Sequence, residues 1–134
     1  MARLGRMKRS SPFVAAVCAI LFAGVGNAPA FAAPKSGNAT YYSLSGTGAC
    51  GDPINARTQK LVAVSDSWFG SGNPNNDPIC KKKLKVTYGG KSITVKVKDK
   101  CPGCSKNHFD LSEKAFKELA PLSRGNIDIK WEWK

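Results

Sequence analysis

The clearest pattern in the chain is an alternation of apolar and polar residues over positions 83–98, interrupted by Gly89-Gly90. The apolar positions of this alternation are Leu84, Val86, Tyr88, Ile93, Val95 and Val97. A period of two places successive side chains on opposite faces of a strand, and a Gly-Gly pair is typical of a tight turn. The segment therefore predicts a β-hairpin with one buried face and one lysine-rich face in solvent.

Shorter segments predict further strands before and after this hairpin. Residues 38–43 (NATYYS) and 60–65 (KLVAVS) are rich in β-branched and aromatic residues, and 126–134 (NIDIKWEWK) alternates again. In the last segment the alternation predicts burial of Ile127, Ile129, Trp131 and Trp133, with exposure of the two tryptophans as the alternative. Between the strands, residues 44–58 and 66–80 contain glycine, proline and asparagine and predict loops.

One segment, residues 110–121 (DLSEKAFKELAP), predicts an amphipathic helix. Its apolar face consists of Leu111, Ala115, Phe116 and Leu119. Asp110 and Ser112 are both available as its N-cap, and Pro121 closes it. At least five short strands and one helix favour a mainly β fold. Closure into a small barrel would remove the exposed edges of so small a sheet.

The first 32 residues predict a signal peptide. MARLGRMKR carries four positive charges, and the apolar run FVAAVCAILFAGVG that follows is too short to span a bilayer as a stable helix. NAPAFAA supplies the small-x-small pattern of a cleavage site, which we place after Ala32. Cys18 follows Val17 and does not match a lipid-attachment site. We therefore expect a secreted protein of one domain, residues 33–134, without a membrane anchor.

The charge of residues 33–134 limits the classes of partner. Seventeen lysines and arginines stand against nine acidic residues, a net charge of +8, and only Arg57 and Arg124 are arginine. Because bidentate phosphate recognition relies on arginine, nucleic acid is not the expected partner. Acidic wall polymers and protein surfaces are the alternatives for an exported basic protein. The simplest interpretation is a solvated basic surface that maintains solubility.

Residues 101–112, CPGCSKNHFDLS, place two cysteines, a histidine and an aspartate close together. With Cys50 and Cys80 the cysteine count after the signal peptide is even, which predicts two disulfides with three possible pairings. A thioredoxin-like redox pair would lie directly at a helix start within a βαβ pattern, but Cys104 precedes the predicted helix by several residues and the chain shows no βαβ pattern. A zinc site built from Cys101, Cys104 and His108 would lack a fourth ligand. We expect no metal and no cofactor.

Asp110 is the candidate acid for glycoside hydrolysis, a reaction that generally needs two carboxyl groups flanking the scissile bond. In the alternative interpretation, Asp110 only caps the helix that follows it.

Three segments, ATYYS…GTGACG, NPNNDPICKKKLKVTYGGKSITVKVKDKCPGC and HFDLSEKAFKELAPL, resemble in this order the double-psi β-barrel superfamily. That superfamily includes rare lipoprotein A domains, the first domain of expansins, barwin and family 45 glycoside hydrolases. The resemblance implies a six-stranded double-psi β-barrel with one short helix. It also implies that Cys50 pairs with Cys80, which leaves Cys101 to pair with Cys104.

The resemblance matches Asp110 to the acid of the hydrolases and to an aspartate of the expansins. The hydrolases carry a second aspartate after the aromatic pair of the first strand, where this chain has Ser43. We therefore expect no enzymatic activity. The resemblance is strongest to short secreted barrels of actinomycetes and fungi. It implies a monomer that inhibits papain-like cysteine proteases, with trypsin-like serine proteases as further targets, and that is a transglutaminase substrate.

An inhibitor of this sequence would need a surface other than the cystatin Gln-x-Val-x-Gly wedge, because Gln59 is the one glutamine and Lys60-Leu61 follow it. The candidate contact loop is 66–79, with Trp68 and Phe69 as apolar anchor. Alternatively, this pair plugs one end of the barrel. Gln59 is the candidate acyl donor for transglutaminase. The alternative function is an expansin-like, non-hydrolytic binder of cell-wall polysaccharide or peptidoglycan, motivated by Asp110, the positive charge and the aromatic residues.

Overall fold

The alternating segments form strands in the computed structural model of the chain, which describes residues 33–134. The predicted signal peptide, residues 1–32, lies outside the described residues and stays a prediction. The strands are β1 (Lys35–Tyr42), β2 (Ser45–Thr47), β3 (Pro53–Asn55), β4 (Leu61–Ser65), β5 (Lys83–Tyr88), β6 (Lys91–Cys101), β7 (His108–Ser112) and β8 (Ile127–Trp133). The α-helix, α1, is Glu113–Leu119. Within the described part of the chain, no helix has the length and hydropathy needed to cross a bilayer.

Six of these strands close into a barrel in the order β1-β7-β4-β6-β5-β8. The pairs β1–β7 and β4–β6 are parallel, and the remaining neighbours are antiparallel. Strands β2 and β3 form a separate two-stranded sheet. The mainly β, six-stranded closed barrel with one helix confirms the fold class predicted from the sequence.

The barrel interior is filled by the alternating apolar residues of the strands. Leu84, Val86, Val95 and Val97 are buried, which confirms the inner face of the predicted hairpin. In β8, Ile127, Ile129 and Trp131 are buried and Trp133 is half-buried. The helix adds Phe116 and Leu119 to the same core. Strands β5 and β8 each turn one face to this core and carry polar side chains on the other, whereas β4 is buried on both faces.

The predicted helix over 110–121 is wrong at its start. Residues 108–112 are strand β7, because they pair in parallel with β1 from Asn38↔His108 to Tyr42↔Ser112. The helix begins one residue after Ser112, whose Oγ accepts the N–H of Ala115 at 3.2 Å and the N–H of Leu61 at 3.1 Å. Ser112 is therefore the N-cap. The alternative in which Asp110 caps the helix is overturned, since Asp110 lies in the middle of a strand.

The loop predicted over 44–58 contains the β2–β3 sheet. Its register runs from Ser45↔Asn55 to Thr47↔Pro53. These short strands are mostly polar and exposed, so they lack the alternation that identifies the barrel strands. The predicted loop 66–80 contains three short 3₁₀ turns and no strand, in agreement with its composition.

Candidate functional site

Two disulfides lie at the edges of the candidate site. Cys50 is bonded to Cys80 and Cys101 to Cys104, with Cα–Cα distances of 5.8 Å and 5.4 Å. This is the pairing that the resemblance implies. The first disulfide joins the turn before β3 to the end of the loop before β5, and the second closes the turn after β6. Among residues 33–134, no group of three His, Cys, Asp or Glu side chains is arranged to hold a metal ion.

A cleft of about 200 Å³ opens on the outer surface of the barrel. Its lining consists of Tyr42, Leu44, Ala63, Asp99, Lys100, Cys101, Pro102 and Asp110. Ala63 of β4 pairs with Asp99 of β6 on one side and with Asp110 of β7 on the other. Residues that pair across neighbouring strands point to the same face, so the two carboxylates flank the small Ala63 side chain. The residues on either side of Ala63 in β4, Val62 and Val64, point into the core.

Asp110 is held on one side of the cleft by β1. The Thr40 hydroxyl donates to Asp110 Oδ1 at 3.0 Å and lies 2.7 Å from Nε2 of His108. Because the hydroxyl hydrogen goes to the carboxylate, Nε2 of the imidazole is the donor in the second contact. Burial raises the pKa of the Asp110 carboxyl, and the Thr40 hydrogen bond opposes this increase in part. Asp110 is therefore more readily protonated than an exposed aspartate.

Asp99 forms the other side of the cleft. Its Oδ1 accepts the backbone N–H groups of Ala49 and Lys100, each at 2.9 Å. Its Oδ2 accepts the Tyr42 hydroxyl at 3.4 Å. Burial raises the pKa of Tyr42, and the charges of Asp99 and Asp110 raise it further, so Tyr42 is a neutral hydrogen-bond donor. Asp99 therefore supports both the phenol and the turn at Ala49.

The sequence gives little indication that Asp99 belongs to the candidate site. The one pointer is its place as a carboxylate in a lysine-rich segment, between Lys98 and Lys100. The position where the resemblance expects the second aspartate, Ser43, donates its hydroxyl to Glu113 Oε2 at 2.7 Å. A second carboxylate thus reaches the cleft from β6 and not from the end of β1. With two backbone N–H groups on one oxygen, Asp99 is a positioning group more than a free base.

The loop 66–79 packs its aromatic residues against the barrel. The Trp68 ring makes edge-on contacts with Trp131 and Trp133 at centroid distances of 5.9 Å and 5.1 Å, and its Nε1 donates to the Lys106 carbonyl at 2.8 Å. Phe69 lies 4.7 Å from the Lys100 ammonium. Both rings are half-buried. This arrangement favours the alternative in which the pair plugs one end of the barrel.

The exposed part of the same loop, residues 70–73, is held by side chain to backbone hydrogen bonds. Asp77 Oδ2 accepts the Gly70 N–H at 2.7 Å, and Asp77 Oδ1 accepts the Ile79 N–H at 2.9 Å. Asn73 Oδ1 accepts the Asn75 N–H at 3.0 Å. Together with the disulfide at Cys80, these bonds anchor the loop at several points along its length, although it contains no regular strand.

Gln59, the predicted acyl donor, lies on the surface in the turn between β3 and β4. Its Oε1 accepts the Asn55 N–H at 2.9 Å, and the Gln59 N–H is donated to the Asn55 carbonyl at 2.9 Å. The side chain is exposed, but its amide group takes part in the turn.

Comparisons with known proteins agree with this architecture. Residues 34–131 match a double-psi β-barrel family model described as lytic transglycolase. The papain inhibitor of Streptomyces mobaraensis is 49% identical over 100 residues, which cover 73% of this chain and 70% of the relative. The allergen Asp f 7 of Aspergillus fumigatus is 34% identical over 103 residues, but these cover only 36% of that protein.

Two solved structures resemble the described barrel over most of its length. The Streptomyces papain inhibitor has a TM-score of 0.71 at 47% identity, and the match covers 75% of this chain and 96% of that one. A Clavibacter michiganensis expansin, solved in complex with cellohexaose, has a TM-score of 0.62 at 34% identity. That match covers 74% of this chain and 49% of the expansin.

Proposed function

This chain belongs to the double-psi β-barrel family, and from this premise we propose that it inhibits papain-like cysteine proteases. The observation that carries the proposal is its similarity to a papain inhibitor, 49% identical over 70% of that protein. The similarity extends over almost the whole solved structure of a Streptomyces papain inhibitor, 96% of its chain. The shared part is therefore a complete inhibitor fold and not an isolated motif.

The mode of inhibition that the geometry supports is binding by a surface that is rigid before the protease arrives. The Cys50–Cys80 disulfide joins two neighbouring surface segments, and the bonds of Asp77 and Asn73 hold the longer one. A surface that is already ordered loses less conformational entropy on binding. We propose that residues 70–73 of the loop 66–79 contact the protease, with Trp68 and Phe69 as their packed base.

The remaining expectations are part of the same proposal. The two disulfides suit an oxidising compartment, and secretion after removal of residues 1–32 would bring the chain there. The protein acts as a monomer that binds and does not turn over substrate, with serine proteases as further targets. Gln59 is the proposed transglutaminase acyl donor. Modification there would require its Oε1 to leave the Asn55 N–H.

The experiment is a titration of papain with the purified, disulfide-bonded protein, followed by release of a chromogenic peptide. We expect activity to fall in proportion to the inhibitor added until the enzyme is saturated. The matched control is the same protein after reduction and thiol alkylation, which removes both covalent links. Full papain activity at micromolar concentrations of the disulfide-bonded protein would refute the proposal.

A second function, the binding of a wall polysaccharide, is favoured by the cleft. Asp110 and Tyr42 line it with a carboxyl and a hydroxyl group, and a related expansin has been solved with cellohexaose. Calorimetry with cellohexaose and pull-down on peptidoglycan test this function. Binding that Asp110→Ala abolishes would support it, whereas retention that disappears at modest salt would show charge attraction alone.

A further inference from the structure

The segment between β1 and β3 presents an apolar side chain to solvent. Leu44 is 72% exposed, and within residues 33–134 it is the one large hydrophobic side chain that is exposed. A single exposed leucine is common on protein surfaces and needs no explanation by itself. Leu44 differs because it lies on the rim of the cleft, beside Tyr42, Ala63 and Pro102. Apolar surface thus continues from the leucine into a concave site.

The backbone that carries Leu44 is fixed on both sides. The Leu44 carbonyl accepts the Ala56 N–H at 3.0 Å, and the preceding Ser43 hydroxyl is bonded to Glu113 at 2.7 Å. The residues that follow form β2, which is paired with β3. After β2, the Ala49 N–H is bonded to Asp99 at 2.9 Å. Leu44 is therefore an exposed side chain on an ordered backbone, unlike a leucine at a frayed loop tip.

The space around the segment is open to a partner. A Cβ atom added at Gly46, two residues after Leu44, would meet no heavy atom within 4 Å. Across the cleft, Lys100 lines the site together with Leu44 and also lies over the Phe69 ring. The Leu44 segment and the loop 66–79 therefore flank Lys100 and form one continuous surface.

Binding pockets are concave and lined mostly by apolar side chains, so an exposed apolar side chain on an ordered backbone is suited to fill one. Trp68 is a poor candidate because its ring and its Nε1 are already engaged within the fold. We infer that Leu44 is the apolar anchor that this protein inserts into the specificity pocket of a papain-like protease, with Ser45–Thr47 lying along the rim of the protease cleft. This inference rests on the proposed function.

The test compares the inhibition constant for papain of the wild type with those of three variants at Leu44. We expect Leu44→Asp to weaken inhibition at least a hundredfold, because a charge would enter an apolar pocket. Leu44→Ala should weaken it about tenfold or more, because the methyl group of alanine is too small to fill the pocket. Leu44→Met keeps the volume and flexibility of an apolar side chain and should remain within about threefold of the wild type.

Two controls separate binding from folding and from charge. Because Leu44 is exposed, all three variants should keep the circular dichroism spectrum and melting temperature of the wild type. Lys91→Gln lowers the net charge by the same one unit as Leu44→Asp, at the hairpin turn eight residues before Asp99 along β6, and should leave inhibition unchanged.

The outcomes are distinguishable. If the wild type inhibits papain and Leu44→Asp inhibits within threefold of it, the anchor is refuted while the proposed function stands. If Leu44→Met is as weak as Leu44→Asp, apolar filling of a pocket is refuted. A wild type that does not inhibit papain overturns both the function and the anchor.

Discussion

Two neighbouring surface segments, residues 44–49 and the loop 66–79, place their apolar side chains in opposite ways. The longer loop turns its aromatic residues inward, where Trp68 packs on Trp131 and Trp133, and leaves polar residues outside. The shorter segment turns its apolar residue, Leu44, outward and uses its polar contacts to hold the backbone. In the loop 66–79, packing of the apolar side chains stabilises the fold. In residues 44–49, the ordered backbone holds an apolar side chain exposed to solvent.

This difference shows why aromatic content is a weak guide to an interaction surface. Trp68 and Phe69 have the large apolar area that dominates interfaces, but part of that area is already buried within the molecule. Leu44 is smaller, yet 72% of it is exposed and available to a partner. What decides the role of each residue is the apolar area left exposed and the order of the backbone beneath it.

The largest expected effect comes from separating the two segments. Replacing Cys50 and Cys80 by alanine removes a link across 30 residues of sequence and should lower the free energy of unfolding by about 3 to 4 kcal/mol. Replacing Cys101 and Cys104, which are three residues apart, should lower it by only about 1.5 to 2 kcal/mol. Urea unfolding of the two double variants measures the difference. Equal losses would contradict the view that the long-range disulfide is the main covalent support of this surface.

A smaller effect is expected from Trp68→Ala. Loss of a half-buried indole from the aromatic cluster should lower the free energy of unfolding by about 2 to 3 kcal/mol, somewhat less than for a fully buried tryptophan. Inhibition by the molecules that remain folded should stay within a few-fold of the wild type. Denaturant melts and papain assays at low temperature test both parts. A stable Trp68→Ala variant that no longer inhibits would reverse the roles assigned to the two segments.

The smallest effect is expected from Asp110→Asn, which concerns the cleft between the segments. Burial raises the folded-state pKa of Asp110, so its contribution to stability is fully present below the unfolded pKa of about 4 and is lost as pH rises through the folded value. Asparagine carries no charge and can still accept the Thr40 hydrogen bond.

The variant should therefore be slightly more stable than the wild type at pH 7 and equal to it below about pH 4. Thermal melts across this pH range provide the measurement. A variant that is less stable at pH 7 than at pH 4, relative to the wild type, would mean that the ionised carboxylate is favoured in the fold.

The sequence was informative where one face of a strand is buried. The period of two at Leu84, Val86, Val95 and Val97 predicts the hairpin because burial on one face imposes that period. The same rule does not extend to β2 and β3, whose residues are mostly polar and exposed. Their positions depend on contacts with distant residues, such as Asp99 with Ala49, which no local pattern contains.

The cleft could be predicted only in part. Asp110 was identifiable from the HFD motif, but its place in β7 depends on pairing with β1, about 70 residues earlier in the chain. Asp99 and Leu44 lie in segments whose local sequences resemble an ordinary lysine-rich strand and a polar loop. Asp99 comes to lie beside Ala63, and Leu44 at the rim of the cleft, because of the order of the strands in the barrel. Local propensity does not encode that order.

The central claim is that inhibition uses a surface that is ordered before binding, with the Leu44 segment as its apolar part. Amide hydrogen exchange of the free protein and of its complex with papain tests this claim most directly. The account predicts that the Gly48 and Ala49 amides are already protected in the free protein, and that papain adds protection at residues 44–47. Rapid exchange of these amides in the free protein, or added protection confined to the hairpin turn at Gly89-Gly90, would contradict it.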